Sequence, residues 1–282
     1  MPGMKWTFMS LQILDEVRSG KMTFAEMFPR ARAAGFVAYD ASDMDAEFAD
    51  REEVLRLCRE NGLKIADYIH WIHMATPDDK ALEAAIESGK QAVHTALAHG
   101  TKMLMIVEQV NRHDLEKLTR KEASRRMGCA LREIVNYADK FGVTVMVEDF
   151  PVPALPMSTS DEMKALLDAA PGLQLILDTG NMLAQKEDPL HFYQALKGHY
   201  AHVHLKDIEY PENATTGDID CDGRHIWNAQ HGEGVVNFAA LLPDLKQDGF
   251  DGYVTVEYGP HEGTKDHFEK MAESIRYLEG LL

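Results

Sequence analysis

Short apolar runs alternate with longer amphipathic stretches along the whole chain. Each short run is rich in Val, Ile, Leu, Met or Tyr and is bounded by Gly, Pro or charged residues. This pattern is typical of strands buried on both faces of a parallel sheet. The predicted strands are Lys5–Met9, Phe36–Asp40, Lys64–His70, Lys102–Glu108, Val143–Asp149, Leu173–Asp178, Tyr200–Lys206 and Gly252–Glu257.

The longer stretches carry the spacing of amphipathic helices. Many of them end at a glycine, which suits the left-handed residue after a helix C-terminus; these are Gly35, Gly62, Gly100, Gly142 and Gly249. Ser160 is expected to cap the fifth helix. The predicted helices are Thr23–Ala34, Arg51–Asn61, Pro77–His99, Lys121–Phe141, Ser160–Ala169, Pro189–Lys197, Asn237–Gln247 and Lys265–Leu281.

Eight strand–helix units in strict alternation predict an α/β fold. A doubly wound open sheet also repeats such units, but eight of them in 282 residues favour a single (β/α)8 TIM barrel. No linker or composition shift divides the chain, so residues 1–282 are interpreted as one domain. The longest irregular stretch, residues 208–235, is expected to be a functional loop.

Composition narrows the classes of partner. The formal net charge of −17 repels phosphodiester backbones and disfavours general nucleic-acid binding. The three cysteines are scattered, which indicates reduced thiols. The sequence shows no secretory signal at its N-terminus and no apolar run long enough to span a membrane. We therefore expect a cytoplasmic protein with no membrane partner.

Four consecutive predicted strands carry a side chain that can bind metal near their C-terminal ends. The C-terminal ends of barrel strands converge on one mouth, so these side chains are expected to meet there. Three carboxylates and one imidazole suit Mn²⁺, Mg²⁺, Co²⁺ or Zn²⁺. A single such residue could instead be a salt-bridged strand end, but four at one depth favour a site for one divalent ion. This strand-end quartet is Glu148, Asp178, His204 and Glu257.

The quartet and its neighbours resemble the xylose-isomerase-like barrel superfamily, in its sugar phosphate isomerase/epimerase branch. The resemblance rests on the quartet and on the strings 147–149, 177–181, 202–207 and 231–236, all in the C-terminal half. It implies a metal-dependent isomerase or epimerase that acts on a ketose or ketose phosphate through a metal-stabilised enediolate. In the epimerases that this chain resembles, the two glutamates bind metal and exchange the proton, which assigns these catalytic roles to Glu148 and Glu257.

Two positions depart from the pattern of ketose epimerases. Many carry a histidine where this chain has Asn181, and free-ketose epimerases tend to carry an arginine where this chain has Tyr210. Arg224, further along the same loop, is a candidate to replace that arginine. These departures argue against a free-ketose 3-epimerase and leave other members of the branch open.

Further residues near the predicted mouth are candidates for substrate contact. His70 and Trp71 end the third strand, Glu108 ends the fourth, and Lys206 follows the histidine of the quartet by two. Packed strand ends, or an ion pair from Lys206 to a nearby aspartate, are the alternatives. The predicted substrate-binding set is His70, Trp71, Glu108, Asn181, Lys206, Arg224 and His231.

Three other functions remain alternatives. A dehydratase of an inosose-type keto-polyol would use the same enediolate and lose a β-hydroxyl. An endonuclease IV-like DNA repair enzyme would need a histidine-rich site of several metals and a basic surface, which the charge of −17 opposes. A barrel that binds sugar without turnover is the third. Relatives of this kind are often dimers or tetramers, which makes a homo-oligomer an expectation by analogy.

Overall fold

The computed structural model describes residues 4–258 and 266–282. Within them the strands are β1 (Lys5–Met9), β2 (Ala38–Ser42), β3 (Lys64–Ile72), β4 (Met103–Glu108), β5 (Thr144–Glu148), β6 (Gln174–Asp178), β7 (Tyr200–Leu205), β8 (Asp207–Glu209), β9 (Asp218–Ile219), β10 (His225–Ala229) and β11 (Tyr253–Val256). The helices are α1 (Leu14–Arg18), α2 (Phe24–Ala34), α3 (Arg51–Glu60), α4 (Asp79–Ala98), α5 (Arg112–Leu115), α6 (Arg120–Asp139), α7 (Ser160–Ala169), α8 (Pro189–Ala195), α9 (Phe238–Gln247) and α10 (His267–Glu279).

Eight parallel strands close into a barrel in the order β1-β11-β7-β6-β5-β4-β3-β2. The predicted TIM barrel is therefore confirmed. All eight predicted strands are present; the second lies about two residues later than predicted, at Ala38–Ser42. The predicted helix start at Lys265 lies outside the described residues.

Side-chain alternation divides the barrel strands into an inner and an outer set. On β5, for example, Val145 and Val147 pack in the large core between strands and helices, whereas Met146 belongs to a small inner cluster with Met105 and Ile176. Successive strand residues point to opposite faces, so every second residue of a barrel strand faces the axis. This parity decides which strand ends can reach the mouth.

The outer helices pack closely where glycine replaces a side chain. A Cβ on Gly89 of α4 would lie 2.4 Å from Cδ1 of Ile134 on α6, and one on Gly128 of α6 would lie 2.6 Å from the Cβ of Ala169 on α7. The five glycines predicted to end helices all have positive φ, as expected. Thr159, and not Ser160, caps α7: its side chain accepts from the backbone N–H of Glu162.

Residues 208–235, predicted to be irregular, contain part of a small sheet. β10 pairs antiparallel with β8 and with β9, so the loop after β7 carries its own three-stranded sheet. The sequence did not predict this sheet because each of its strands is short and pairs with a strand elsewhere in the same loop. Within residues 4–258 and 266–282, no helix is long and apolar enough to cross a bilayer.

Candidate functional site

Four neighbouring strands bring the strand-end quartet together at the C-terminal mouth of the barrel. Glu148 ends β5, Asp178 ends β6, His204 lies on β7 and Glu257 follows β11. One potential ligand atom from each of the four residues lies within 4.8 Å of those of the other three. The convergence predicted from the strand ends is therefore present in the structure.

His204 lies between the two glutamates. Its Nδ1 is 2.5 Å from Oε1 of Glu148 and 3.5 Å from Oε2 of Glu257. His204 is 1% exposed, whereas the Glu257 side chain keeps 18% of its surface accessible. The histidine is thus buried behind the carboxylates, and Glu257 remains partly accessible from the mouth of the barrel.

Lys206 lies on the other side of the quartet. Its Nζ is 2.6 Å from Oε1 of Glu257 and 3.1 Å from Oδ2 of Asp178, and it donates to Oδ1 of Asn181 at 2.9 Å. Of the two interpretations of Lys206, the ion pair with Asp178 is observed, and Glu257 is a second partner.

Backbone groups fix Asp178 and Asn181. The Oδ1 of Asp178 accepts from the N–H groups of Gly180 and Asn181 at 2.7 and 2.8 Å. The amide nitrogen of Asn181 donates to the carbonyl of Asp149 at 2.8 Å. One oxygen of Asp178 is therefore used to hold the turn after β6, and the other faces the quartet.

Burial and neighbouring charge act in opposite directions on the quartet. Burial lowers the pKa of His204, but the carboxylates of Glu148 and Glu257 outweigh it and hold that pKa well above its usual value. Burial raises the pKa of Asp178 to about 7 despite Lys206. Burial also raises the pKa of Glu257, but Lys206 and His204 more than offset this and leave it below its usual value. The groups compensate one another's charge.

The donor set fits a divalent cation. Among the described residues, Nε2 of His204 is buried without a hydrogen-bond partner. Three further buried atoms have ion-pair contacts but no hydrogen bond: Nδ1 of His204 faces Oε1 of Glu148, and Oδ2 of Asp178 faces Lys206. Buried polar groups are rarely left in this state, because an unmade hydrogen bond costs roughly 1–3 kcal/mol. Carboxylate and imidazole ligands converging on one point are what Mn²⁺, Mg²⁺, Co²⁺ or Zn²⁺ would satisfy.

A cavity of about 430 Å³ opens above the quartet. One wall is apolar and comprises Met9, Ile69, Trp71, Met105, Val107 and Phe150. Besides Glu148, His204, Lys206 and Glu257, the polar lining residues are Gln12, Asp15, Asn181, Asp218 and Asn228. We call this space the mouth cavity. Of the predicted substrate-binding residues, Trp71, Asn181 and Lys206 line it. Asp15 and Asp218 were missed because they lie outside the barrel strands.

His70 and Glu108 face away from the mouth cavity, contrary to their predicted substrate contact. The ring of His70 bonds to Asp43 at 2.6 Å and to Ser88 on α4 at 2.9 Å. Glu108 accepts from the backbone N–H of Met74 at 2.8 Å and is buried. Both occupy the outward positions of the alternation, since Ile69 and Met105 face the barrel axis. In the structure, His70 and Glu108 form hydrogen bonds within the chain in place of the predicted contact with substrate.

Arg224 and His231 are also held away from the quartet. Arg224 donates to Asp220 at 2.8 Å, and its guanidinium lies 4.3 Å from the ring centroid of Tyr210. His231 is buried, with one ring nitrogen 2.9 Å from the hydroxyl of Ser274 and the other 2.8 Å from the carbonyl of Leu205. These contacts stabilise the loop after β7 and correct the prediction of substrate contact.

A second polar layer lies in the barrel beneath His204. Asp40 accepts from Thr7 at 2.6 Å and from Thr255 at 2.8 Å, and Thr255 bonds to His202 at 2.7 Å. Burial, with Asp40 nearby, raises the pKa of Asp67 well above its usual value. The sequence signal for this layer was an aspartate inside a strand at an inward position.

Curated relatives and solved structures share most of the chain length. An inosose dehydratase of Lacticaseibacillus casei is 20% identical over 235 residues, which cover 78% of this chain and 77% of that protein. An L-ribulose-5-phosphate 3-epimerase of Escherichia coli (strain SE11) is 26% identical over 241 residues, covering 81% and 80%.

The crystal structure of IOLI protein with a bound zinc atom has the same fold. It aligns with a TM-score of 0.77 at 18% identity and covers 98% of this chain and 96% of that chain. A family model described as xylose isomerase-like TIM barrel matches residues 14–281. The chain therefore belongs to the xylose isomerase-like TIM barrel family.

Proposed function

We propose that this chain is a divalent-metal-dependent isomerase or epimerase of a ketose or ketose phosphate, with Glu148 and Glu257 as its proton-transferring groups. The observation that carries the proposal is the quartet itself, whose potential ligand atoms lie within 4.8 Å of one another. The similarity to an L-ribulose-5-phosphate 3-epimerase supports the reaction class.

Glu148, Asp178, His204 and Glu257 would hold the cation. When bound, it supplies a Lewis acid that stabilises the negative charge developed as a hydroxy-ketone loses the proton next to its carbonyl. The chain's own residues perform the remaining steps. Trp71 and the apolar wall exclude water from one side of the substrate, and the two glutamates take and return the proton.

The two glutamates are suited to a two-base exchange because they approach His204 from different strands. Glu148 is on β5 and Glu257 follows β11, with β6 and β7 between them. Lys206 holds Oε1 of Glu257 at 2.6 Å and so fixes the orientation of that carboxylate. One glutamate can remove the proton from one face of the carbon while the other returns a proton to the opposite face.

Deuterium exchange on both epimers of a ketose tests the proposal. Each epimer is incubated with metal-saturated protein in D₂O, and wash-in next to the carbonyl is followed by proton NMR. Positioned proton transfer contributes roughly 10²–10⁴-fold. We expect Glu148→Gln to lose wash-in by at least about 100-fold for one epimer, and Glu257→Gln for the other.

Exchange on the second epimer shows that each variant still binds the metal, and Glu83→Gln, on the exposed face of α4, is the matched control. Near-wild-type exchange on both epimers in a metal-saturated variant would remove that glutamate from the reaction. The inosose dehydratase relative makes a lyase the second candidate. The same NMR experiment with an inosose would reveal it by loss of water from the skeleton.

A further inference from the structure

The charges around the mouth cavity bear on whether the substrate carries phosphate. We infer that the substrate of the proposed reaction is an uncharged keto-sugar or keto-polyol with no phosphate group. The inference rests on the proposed function and chooses between the two substrate classes that it leaves open. The departures at Asn181 and Tyr210 argue against a free-ketose 3-epimerase, which leaves the other uncharged keto-sugars and the keto-polyols.

The described lining of the mouth cavity is acidic. Its acidic lining residues are Glu148, Glu257, Asp15 and Asp218. Apart from His204 of the quartet, Lys206 is the one basic residue among the described lining residues. A divalent cation together with Lys206 would neutralise the three carboxylates of the quartet. The side chain of Asp15 is 94% exposed and lies 3.5 Å from Arg18, so Asp218 is the carboxylate that would remain. A phosphate ester, with a charge of about −1.5 to −2 at neutral pH, would be repelled by it.

Lys206 has little capacity left for a phosphate. It is 8% exposed, and its ammonium group already contacts Asp178, Asn181 and Glu257 at 3.1, 2.9 and 2.6 Å. An ammonium group has three N–H donors. A phosphate could therefore recruit Lys206 only by breaking one of these contacts.

Arg224, the basic residue predicted to reach the substrate, is engaged elsewhere. Its Nε donates to Asp220, and its guanidinium stacks on Tyr210 at 4.3 Å from the ring centroid. Its side chain is 52% exposed, and it does not line the mouth cavity. The two-pronged recognition that arginine offers to phosphate is therefore directed away from the substrate.

The backbone donors of the loop after β7 are occupied by a carboxylate of the chain itself. Asp207, which is fully buried, accepts from the N–H groups of Gly232, Gly234, Val236 and Ile208 at 2.9, 3.0, 3.0 and 2.9 Å. The loops after the last two barrel strands are where such barrels often bind phosphate, through backbone N–H groups. In the loop after β7, four of these donors already hold the carboxylate of Asp207.

The mouth cavity offers contacts that suit hydroxyl groups. The carboxylates of Asp15 and Asp218 can accept from hydroxyls, and Asn228 can both donate and accept. Trp71 provides an apolar surface for the carbon skeleton. A site with few polar groups and an apolar wall is typical of small-molecule recognition.

Matched substrate pairs test the inference. Free ketoses, their phosphate esters and an inosose are compared by deuterium exchange with the Mn²⁺-loaded protein, and the binding of each to that protein is measured by calorimetry. Because like charges in a binding site are strongly unfavourable, we expect kcat/KM and affinity to favour the uncharged member by at least about 100-fold. Asp218→Asn should narrow this ratio by at least about 3-fold, whereas Asp168→Asn, on the exposed face of α7, should leave it unchanged.

The outcomes separate the two proposals. Tighter binding or faster exchange of a phosphate ester than of its free ketose would overturn the inference and leave the proposed function standing. No exchange with any member of either set would overturn the proposed function, and calorimetry would still decide the inference. Equal affinity for both members, unchanged in Asp218→Asn, would also overturn the inference.

Discussion

Lys206 offers the sharpest test of how the charges of the site are balanced. In Lys206→Met, the carboxylates of Asp178 and Glu257 lose an ammonium group 3.1 and 2.6 Å away, in a place where the lysine is 8% exposed. Removing one partner of a buried ion pair costs about 3–5 kcal/mol. We expect the free energy of unfolding in EDTA at pH 8 to fall by this amount.

The same substitution should strengthen metal binding. The ammonium group of Lys206 and a divalent cation held by the same carboxylates would repel one another, and a like-charge contact in such a site costs several kcal/mol. Removing the ammonium group should therefore tighten Mn²⁺ binding by at least about 100-fold. Because a ligand that binds the native state stabilises it according to its concentration and affinity, Mn²⁺ should raise the unfolding free energy of the variant more than that of the wild type.

Urea denaturation followed by circular dichroism, with EDTA or with excess Mn²⁺, measures both effects. Lys164→Met is the matched control, because Lys164 and Asp168 are 3.7 Å apart with side chains 64% and 71% exposed. Such a surface pair contributes at most about 1 kcal/mol. The reasoning is refuted if Lys206→Met in EDTA costs no more than the control, or if Mn²⁺ stabilises the variant no more than the wild type.

Three further predictions follow from the geometry. The pKa of His204 is held well above its usual value and that of Asp178 is about 7, so metal binding should displace roughly one to two protons. Calorimetry in buffers of different ionisation enthalpy should show this release, and the metal affinity should fall about 10- to 100-fold per pH unit below pH 7. A metal affinity that does not change with pH would contradict this prediction. A Cβ in Gly234→Ala would lie 2.2 Å from Oδ1 of Asp207, so urea unfolding should show a loss of about 1–3 kcal/mol, and an unchanged midpoint would exclude the clash. Burial raises the pKa of Asp67 above its unfolded value, so the native state binds this proton more firmly than the unfolded chain does. The stability of the wild type should therefore fall as pH rises from the unfolded pKa towards the folded pKa. In EDTA, Asp67→Asn should gain stability over wild type between pH 5 and pH 8, and a difference that does not change with pH would count against this prediction.

The strands could be predicted from the sequence because their residues alternate between the inner and outer hydrophobic layers of the barrel, and both layers are apolar. The outward positions Val145, Val147 and Leu177 pack against helices, and the apolar runs that contain them marked the strands. The ends of β5, β6, β7 and β11 were predictable as site positions because parallel strands converge at their C-terminal ends. The apolar runs located the strands, and the barrel topology brought the ends of four of them together, so the quartet could be predicted from the sequence.

The predictions failed where side-chain parity was ignored or where contacts join distant segments. His70 and Glu108 lie at strand ends but point outward, a difference of one residue that sends the side chain to the other face. Arg224 is held by Asp220 and Tyr210 within its own loop, and the conformation of that loop could not be predicted from the sequence. Three of the four N–H groups that donate to Asp207 lie 25 to 29 residues away, so they could not be assigned to it from the sequence.

Parity also explains why two adjacent residues have opposite consequences for the site. Lys206 continues the inward series of His202 and His204, so its charge lies among the carboxylates of the quartet. Asp207 has the opposite parity, and its carboxylate gathers the N–H groups of Gly232 and Gly234. A phosphate would need the cation of the first residue and the backbone donors taken by the second. Because each is already satisfied by its own partner within the chain, the charge balance of the proposed metal site and the inferred preference for an uncharged substrate have a common structural origin in the end of β7.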